Sequence, residues 1–451
     1  MIKLPPLPHQ VKIIDYMSPF DQFALIGDPG IGKTCILLNI IEKKGYKKVL
    51  VICPKAVMDL AWGDDIPKFT DFDFAIIWDK DFSKRSSLLR NERIHVINYD
   101  VVGRMYDDLI KQNYDCIILD ESTFIKTHSS KRTKACLNLS KHIKYKYIST
   151  GTPGSKPEKL WSQFYFIDPK TWDNKDFWKF REKYFYKIDA NGLPLYFFNK
   201  KYIAEINERM YRKGLRVLKD EVQKYLPKRN FIPRLLDMPD SAKKIYDTFK
   251  KDKVVGDIYT FFSVSERQKL LQMANGCLIN DQRGKDRQII ELHDTKLKEV
   301  ERIIEDDLEE DDQIIIWANY TEDIDRLHKL TNYPMICGGV NYTKTLRDFK
   351  DGTIKGIIAH PKSIAHGVTF IKCCNAIYYG LPDDLEYFQQ SLDRNHRHGQ
   401  VYPCNYYMLL CRNTIDEDIL KNHKKNKILE SELANQKRNL SLNNLLIWDF
   451  I

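Results

Sequence analysis

The 451-residue chain predicts an α/β protein of two parallel-sheet lobes, joined by a mainly helical insertion that carries a β-hairpin. Three observations predict it. A glycine-rich loop, Gly27-Asp28-Pro29-Gly30-Ile31-Gly32-Lys33-Thr34, follows an apolar run and opens a segment with helical spacing. Short apolar runs then alternate with helical patterns over residues 1–158, and a second such series occupies 286–451. Over 159–285 the alternation stops.

The totals narrow the class. With 43% hydrophobic and 30% charged residues, the composition is that of a globular protein with room for two or three cores. Lys+Arg 72 against Asp+Glu 62 leaves +10, a mild bias toward polyanions that does not choose a partner by itself. Ten cysteines with no C-x-x-C pair speak against a zinc site or a disulfide framework and for a reducing compartment. No basic-then-apolar leader and no 18-residue apolar run occurs, so a cytoplasmic protein without a membrane partner is expected.

In the first series, the prolines between Leu4 and Pro8 delay a helix until Gln10. The Gln10 amide both donates and accepts, so it can read an adenine edge or cap the helix. Phe23–Ile26 reads as a buried strand, and Cys35–Lys44 as a helix stopped by Gly45. Strand, loop and helix N-terminus in that order cradle a phosphate, because loop N–H groups and the positive end of the helix dipole face an anion. Lys33 then reaches the β- and γ-phosphates, and the Thr34 hydroxyl holds Mg²⁺. ATP with Mg²⁺ is the expected cofactor pair.

Val49–Cys53, ended by Pro54 and followed by Trp62, is a second strand, and Val96–Tyr99 a third. Cys116–Leu119 delivers Asp120 and Glu121 at its carboxyl end. An acidic pair there is by default a solvated loop start. Downstream of a phosphate loop it suits metal-assisted hydrolysis, with Asp120 on Mg²⁺ and Glu121 orienting and deprotonating water. Tyr147-Ile148-Ser149-Thr150-Gly151-Thr152 is a further strand, ending in small residues that allow close approach to a ligand.

In the middle segment aromatics crowd together, among them Trp161, Phe164, Trp172, Phe177 and Trp178. Tyr184–Ile188 and Leu195–Phe198 flank Asn191-Gly192, a hairpin turn signal. Such a hairpin, with Tyr196 and Phe197 as the residues that test wedge against packing, packs on its lobe, stacks on bases or wedges a duplex open. Ile203–Leu218 and Ala242–Phe249 read as helices.

The second series begins after Glu305–Asp312, seven acids in eight residues and read as a solvated turn. Its strands are Gln313–Trp317, Lys355–Ala359 and Ala376–Tyr379, with no second phosphate loop among them. Gln390-Ser391-Leu392-Asp393-Arg394-Asn395-His396-Arg397-His398-Gly399-Gln400 places two arginines at i, i+3, one face if helical. Arg394 and Arg397 are therefore arginine-finger candidates, against the plainer reading of exposed basic surface.

Taken in order, these stretches resemble the superfamily II helicase-like ATPases of the Swi/Snf-related family. GDPGIGKT resembles motif I, VICPKAV with Trp62 motif Ia, VINYD motif Ib, DEST with Lys126 motif II, and STGTP motif III. IIIWANY resembles motif IV, the Ser363–Gly367 region motif V, and QSLDRNHRHGQ motif VI, the most specific signature. Leu215–Asp220 with Leu226-Pro227-Lys228 is similar to fork-remodelling relatives, and Pro361–Gly367 to short phage members. Asp28-Pro29, Ser122-Thr123 and His366 depart from the usual residues.

The resemblance implies two RecA-like lobes clamping ATP–Mg²⁺ between Lys33, Thr34, Asp120 and Glu121 on one side and Arg394 and Arg397 on the other. It adds Gly367 to the nucleotide contacts. It implies DNA held across both lobes, with Lys55, Asn98, Thr152, Asn319 and Ser363 as candidate contacts. The implied partner is forked or branched duplex, or single strand, bound by a monomer in the host-cell cytoplasm if the protein is phage-encoded. The activity expected is an ATP-driven translocase that remodels forks or migrates junctions. A duplex-tracking motor and an ATP-gated binding module are the competing readings.

Overall fold

The apolar runs of the first series become strands covered on both faces. Gln22–Gly27 (β1), Val49–Cys53 (β2), Phe74–Ile76 (β3), Ile94–Asn98 (β4), Cys116–Asp120 (β5) and Tyr145–Thr150 (β6) are all parallel. Every residue of β2, β4 and β5 is buried, the pattern of a parallel sheet with helices on each side. Apolar side chains alternate between two cores, Leu50, Ile52 and Ile117 on one face and Val49, Val51 and Ile118 on the other. The computed structural model describes residues 1–424, apart from 152–156, 191–192, 219–225, 256–257, 260–262, 281–287, 338–341, 365–367 and 398. Two compact units result, one within residues 1–224 and one within 225–427.

The segment expected as one insertion over 159–285 is divided between these units. Its aromatics, including Trp161, Phe164, Trp172 and Phe180, enter a core of the first lobe beneath Ile117 and Leu119. Phe185–Ala190 (β7) and Leu193–Phe198 (β8) form the antiparallel hairpin, with Asn191-Gly192 outside the described residues. Ile203–Leu218 is not one helix. The helix runs Ile203–Tyr211, and Gly214–Val217 (β9) then joins β1 in parallel. Gly214 permits this approach, since a Cβ there would lie 2.9 Å from the Met210 carbonyl and 3.3 Å from that of Ala24. The finished sheet runs β3-β4-β2-β5-β6-β1-β9.

The second unit opens with Arg229–Leu236 (β10) at its sheet edge, followed by the helix Asp240–Asp252. Val254–Val255 (β11) pairs with Ile258–Tyr259 (β12), and Cys277–Asn280 (β13) with Gln288–Glu291 (β14). Ile314–Trp317 (β15), Met335–Ile336 (β16), Gly356–Ala359 (β17), Asn375–Tyr378 (β18) and Cys404–Cys411 (β19) complete a parallel sheet ordered β10-β19-β18-β15-β17-β16. The acids of 305–312 lie mostly exposed before β15. No described helix is long and apolar enough to cross a membrane.

Candidate functional site

β1 ends at Gly27, and the helix Lys33–Lys44 (α2) starts where Gly32 adopts a left-handed φ of 83°. Gly30 is also left-handed, at φ 94°, so the loop doubles back in a way that side-chain-bearing residues resist. A Cβ on Gly27 would meet Ile31 Cδ1 at 2.1 Å, so the Ile31 side chain would have to shift to admit one. Lys33, the first residue of α2, donates its Nζ to the Gly27 carbonyl at 2.9 Å and lies 3.4 Å from that of Asp28. The ammonium therefore sits inside the curl of the loop, on the side where the helix N-terminus adds partial positive charge. Thr34 follows it in the first turn of α2.

Gln10 is buried, and its amide is occupied by protein. Its Oε1 accepts from Leu7 N at 2.8 Å, capping the helix Pro8–Met17 (α1), and its Nε2 donates to the Ile31 carbonyl at 3.2 Å. The helix starts two residues earlier than expected because Pro8 stands at its first turn, where no donor is needed. Gln10 thus caps α1 and fastens it to the phosphate loop, and the adenine-reading expectation stands beside this capping role as a proposal.

β6 lies between β1 and β5 and carries Ser149 level with Leu25 and Asp120. Gly27 and Asp120 are therefore both at carboxyl ends, one strand apart, where open α/β sheets take their ligands. Asp120 is buried. Trp62 Nε1 donates to its Oδ2 at 3.0 Å, the Ser149 hydroxyl donates to its Oδ1, and Tyr99 OH donates to its backbone carbonyl at 2.9 Å. Burial, and then the neighbouring Glu121 charge, push the Asp120 carboxyl up, while the two side-chain donors and Lys33 pull it down. Glu121 holds φ 53°, a left-handed conformation costing about 1 kcal/mol for a residue with a side chain. It turns the chain sharply out of β5. Ser122 behind it donates to Gln163 Oε1 at 2.7 Å.

The donor set suits Mg²⁺. A hydroxyl at Thr34 and a carboxylate at Asp120 are hard oxygen ligands, and Mg²⁺ usually keeps waters for the rest of its shell. Among the described residues no group of three or more His, Cys, Asp or Glu gathers as a metal cage.

Arg216, on β9, was not singled out from the sequence. Its Nη2 lies 3.3 Å from Asp28 Oδ1, and its Nη1 donates to the Gly151 carbonyl at 3.1 Å. It ties the phosphate loop to the end of β6. It lies in the Leu215–Asp220 stretch that carries part of the family resemblance, but nothing local shows this contact, because Asp28 is 188 residues away in sequence.

In the second lobe the helix Leu385–Leu392 stops before the two arginines, so they do not share a helical face. Tertiary contacts take over: Asp393 accepts from Arg229 at 2.7 Å, Arg229 Nε donates to His396 Nδ1 at 2.9 Å, and Tyr406 OH donates to Asn395 Oδ1 at 2.9 Å. Arg394 is 1% exposed. Its Nε donates to the Gln390 carbonyl at 2.8 Å and its Nη1 to that of Val368 at 3.0 Å. Arg397 is half-buried, donating to the Asp393 carbonyl at 2.7 Å and Thr369 Oγ1 at 2.8 Å.

The candidate DNA contacts differ in availability. Lys55 is exposed, its Nζ 4.6 Å above the Trp78 ring. Asn98 is buried at the end of β4, its Oδ1 without a hydrogen-bond partner among the described residues. Asn319 spends its Nδ2 on the carbonyls of Gly380 and Leu381 at 2.9 and 3.0 Å. Ser363 is half-buried and its carbonyl accepts from Tyr342 OH at 3.0 Å. Thr152 and Gly367 lie outside the described residues.

Residues 9–300 match the SNF2-related domain and residues 295–399 the helicase conserved C-terminal domain. Putative protein p41 of Acyrthosiphon pisum secondary endosymbiont phage 1 is 22% identical over 95% of this chain and 97% of its own. The DNA annealing helicase and endonuclease ZRANB3 of Bos taurus is 24% identical over 91% of this chain, which spans 39% of that protein. An uncharacterized ATP-dependent helicase of Mycoplasma genitalium, MG018, is 23% identical over 88% of this chain and 38% of its own. The Sulfolobus solfataricus SWI2/SNF2 ATPase core in complex with dsDNA aligns over 96% of this chain with TM-score 0.44 and 22% identity.

Proposed function

The chain belongs to the SNF2-related family of DNA-dependent ATPases, and we propose that within it this protein is an ATP-driven translocase that remodels forks or migrates branched DNA junctions. The observation that carries the motor reading is the meeting of phosphate loop and carboxylate pair at the carboxyl ends of β1 and β5, across β6. Similarity to an annealing helicase, and to a phage protein along nearly its whole length, supports the branched-DNA version. The ten-positive balance suits a polyanion held mainly by its phosphates, with binding that weakens steeply with salt.

In this reading Lys33 and the loop amides hold the β- and γ-phosphates, and Thr34 and Asp120 hold Mg²⁺. The bound metal supplies charge neutralisation at the transferring phosphoryl group. Glu121 orients the attacking water and takes its proton. Arg397 is the finger candidate, since its guanidinium is the less buried of the two. Arg394 positions motif VI by holding the Val368 carbonyl. Lys55 is the foremost phosphate contact among the residues named for DNA.

The test is ATP hydrolysis measured in parallel on single strand, linear duplex, fork, four-way junction and RNA of equal nucleotide content. Stimulation strongest on fork or junction supports branch remodelling. Equal stimulation by linear duplex favours a motor that tracks duplex and displaces bound proteins. RNA as best activator would overturn the substrate class.

A further inference from the structure

The β7–β8 hairpin has two unlike faces. Phe185 and Phe198 pack against the core of the first lobe, 5.5 Å apart and edge-on to one another. On the opposite face, Tyr186 and Phe197 stand in register, their rings 5.8 Å apart and inclined by 24°. Ile188 and Leu195 are the next pair along that face. All four are exposed, Tyr186 to 50% and Phe197 to 43%. Tyr196 belongs to the other face, under the Arg181 guanidinium at 3.6 Å, so Tyr196 and Phe197 do not form one surface. The same guanidinium lies 4.4 Å from the ring of Trp178, itself 59% exposed.

We propose that the Tyr186–Phe197 face of this hairpin binds unpaired nucleic-acid bases by stacking. Two flat rings and two aliphatic side chains, anchored from behind by Phe185 and Phe198, form a rigid platform. Bases have apolar faces that such a platform covers whatever their identity, and only unpaired bases present those faces. The surrounding charge selects the occupant. Residues 175–201 hold seven Lys and Arg against three Asp and Glu, a net +4 in 27 residues where the whole chain has +10 in 451. Lys183 is already paired with Glu205, and Lys187 with Asp189 at 2.9 Å on the opposite face, so the positive excess of the segment fits a strand that offers bases to the rings and phosphates to its other lysines. This rests on the DNA-motor reading and adds to it a second, single-strand contact outside the helicase motifs.

The full chain carrying Tyr186→Ala with Phe197→Ala is titrated against a fluorescein-labelled thymidine oligonucleotide, and its ATPase is measured on linear duplex. Affinity for the single strand should fall at least about tenfold, because both rings that stack on bases are removed, while duplex-stimulated turnover is unchanged. Wild-type affinity in the alanine pair overturns the proposal. Should the pair fail to fold, Phe197→Trp supplies a second readout: its added emission should be quenched by the oligonucleotide, and an unquenched signal overturns the proposal. Duplex-stimulated ATPase in the wild type, with single-strand affinity untouched in the variants, removes this inference alone. No stimulation by any DNA removes the motor reading and this inference together. Sedimentation of the wild type as a dimer that the alanine pair dissolves would make the face a self-association surface and overturn it.

Discussion

Trp62 donates its indole N–H to Asp120 Oδ2 at 3.0 Å, linking residues 58 positions apart in sequence. Both are buried, so the bond cannot be replaced by water from outside. Trp62→Phe keeps the ring and removes the donor. A buried acceptor left without its donor costs about 1–3 kcal/mol, and the carboxylate loses one of the two side-chain donors favouring its ionised form. Urea unfolding should show that loss of stability, and hydrolysis should need more Mg²⁺ for half-maximal rate. An unchanged Mg²⁺ requirement would separate Asp120 from the metal.

Lys33→Ala removes the ammonium that the Gly27 carbonyl holds at 2.9 Å. Hydrolysis on the best DNA activator should disappear, while thermal unfolding without nucleotide moves little, because the residue is only half-buried. Near-normal turnover would sink the loop as the ATP site.

Arg216→Ala frees Asp28 and the Gly151 carbonyl from one another. Arg216 acts through the loop, so the expected change is a higher KM for ATP with kcat retained. Arg216→Lys should restore only part of it, because one ammonium cannot reproduce the two directions of the guanidinium. Equal loss of kcat in both variants would place Arg216 in direct contact with the reacting phosphate instead.

The two motif VI arginines should separate cleanly. Arg397→Ala is expected to leave ATP binding intact and remove turnover, as a group acting on transition-state charge does. Arg394→Ala should instead cost about 2–5 kcal/mol of stability, because buried carbonyls lose a charged donor. ATP affinity falling as far as the rate in Arg397→Ala would exclude the finger role.

The parts legible in the sequence were those written in consecutive residues. The phosphate loop, the strand that delivers Asp120 and Glu121, and the two strand series each follow from local pattern, and the structure contains them within a residue or two. What stayed hidden depends on register between distant strands. Ser149 meets Asp120 because β6 pairs with β5, and Arg216 meets Asp28 because β9 joins β1. Helical spacing also misled at Arg394 and Arg397, where Asp393, Asn395 and His396 are held by Arg229 and Tyr406 rather than by helix geometry. Gln10 had two readings of equal chemistry, and its capping role became visible only with the positions of Leu7 and Ile31.

Asp323 gives a pH-dependent prediction within the second lobe. It is fully buried, accepting from Asn275 Nδ2 at 2.7 Å through Oδ2, while its Oδ1 has no hydrogen-bond partner among the described residues. Lys296 nearby donates to Asn275 Oδ1 at 2.9 Å and pairs with Asp416 at 2.8 Å. Burial raises the Asp323 carboxyl to about 7, against the pull of Asn275, Lys296 and Arg326. An unfolded chain releases that proton near pH 4, so at intermediate pH the folded chain binds one proton more than the unfolded one. Stability must therefore fall as pH rises through this window and level off above it. Between about pH 5 and pH 8 the loss from this group is about 2–3 kcal/mol. Asp323→Asn keeps the shape and cannot ionise, so denaturant titrations at the two pH values should differ by that much less than in the wild type. An identical pH dependence in wild type and variant would mean that Asp323 is ionised throughout, with Lys296 and Arg326 outweighing its burial.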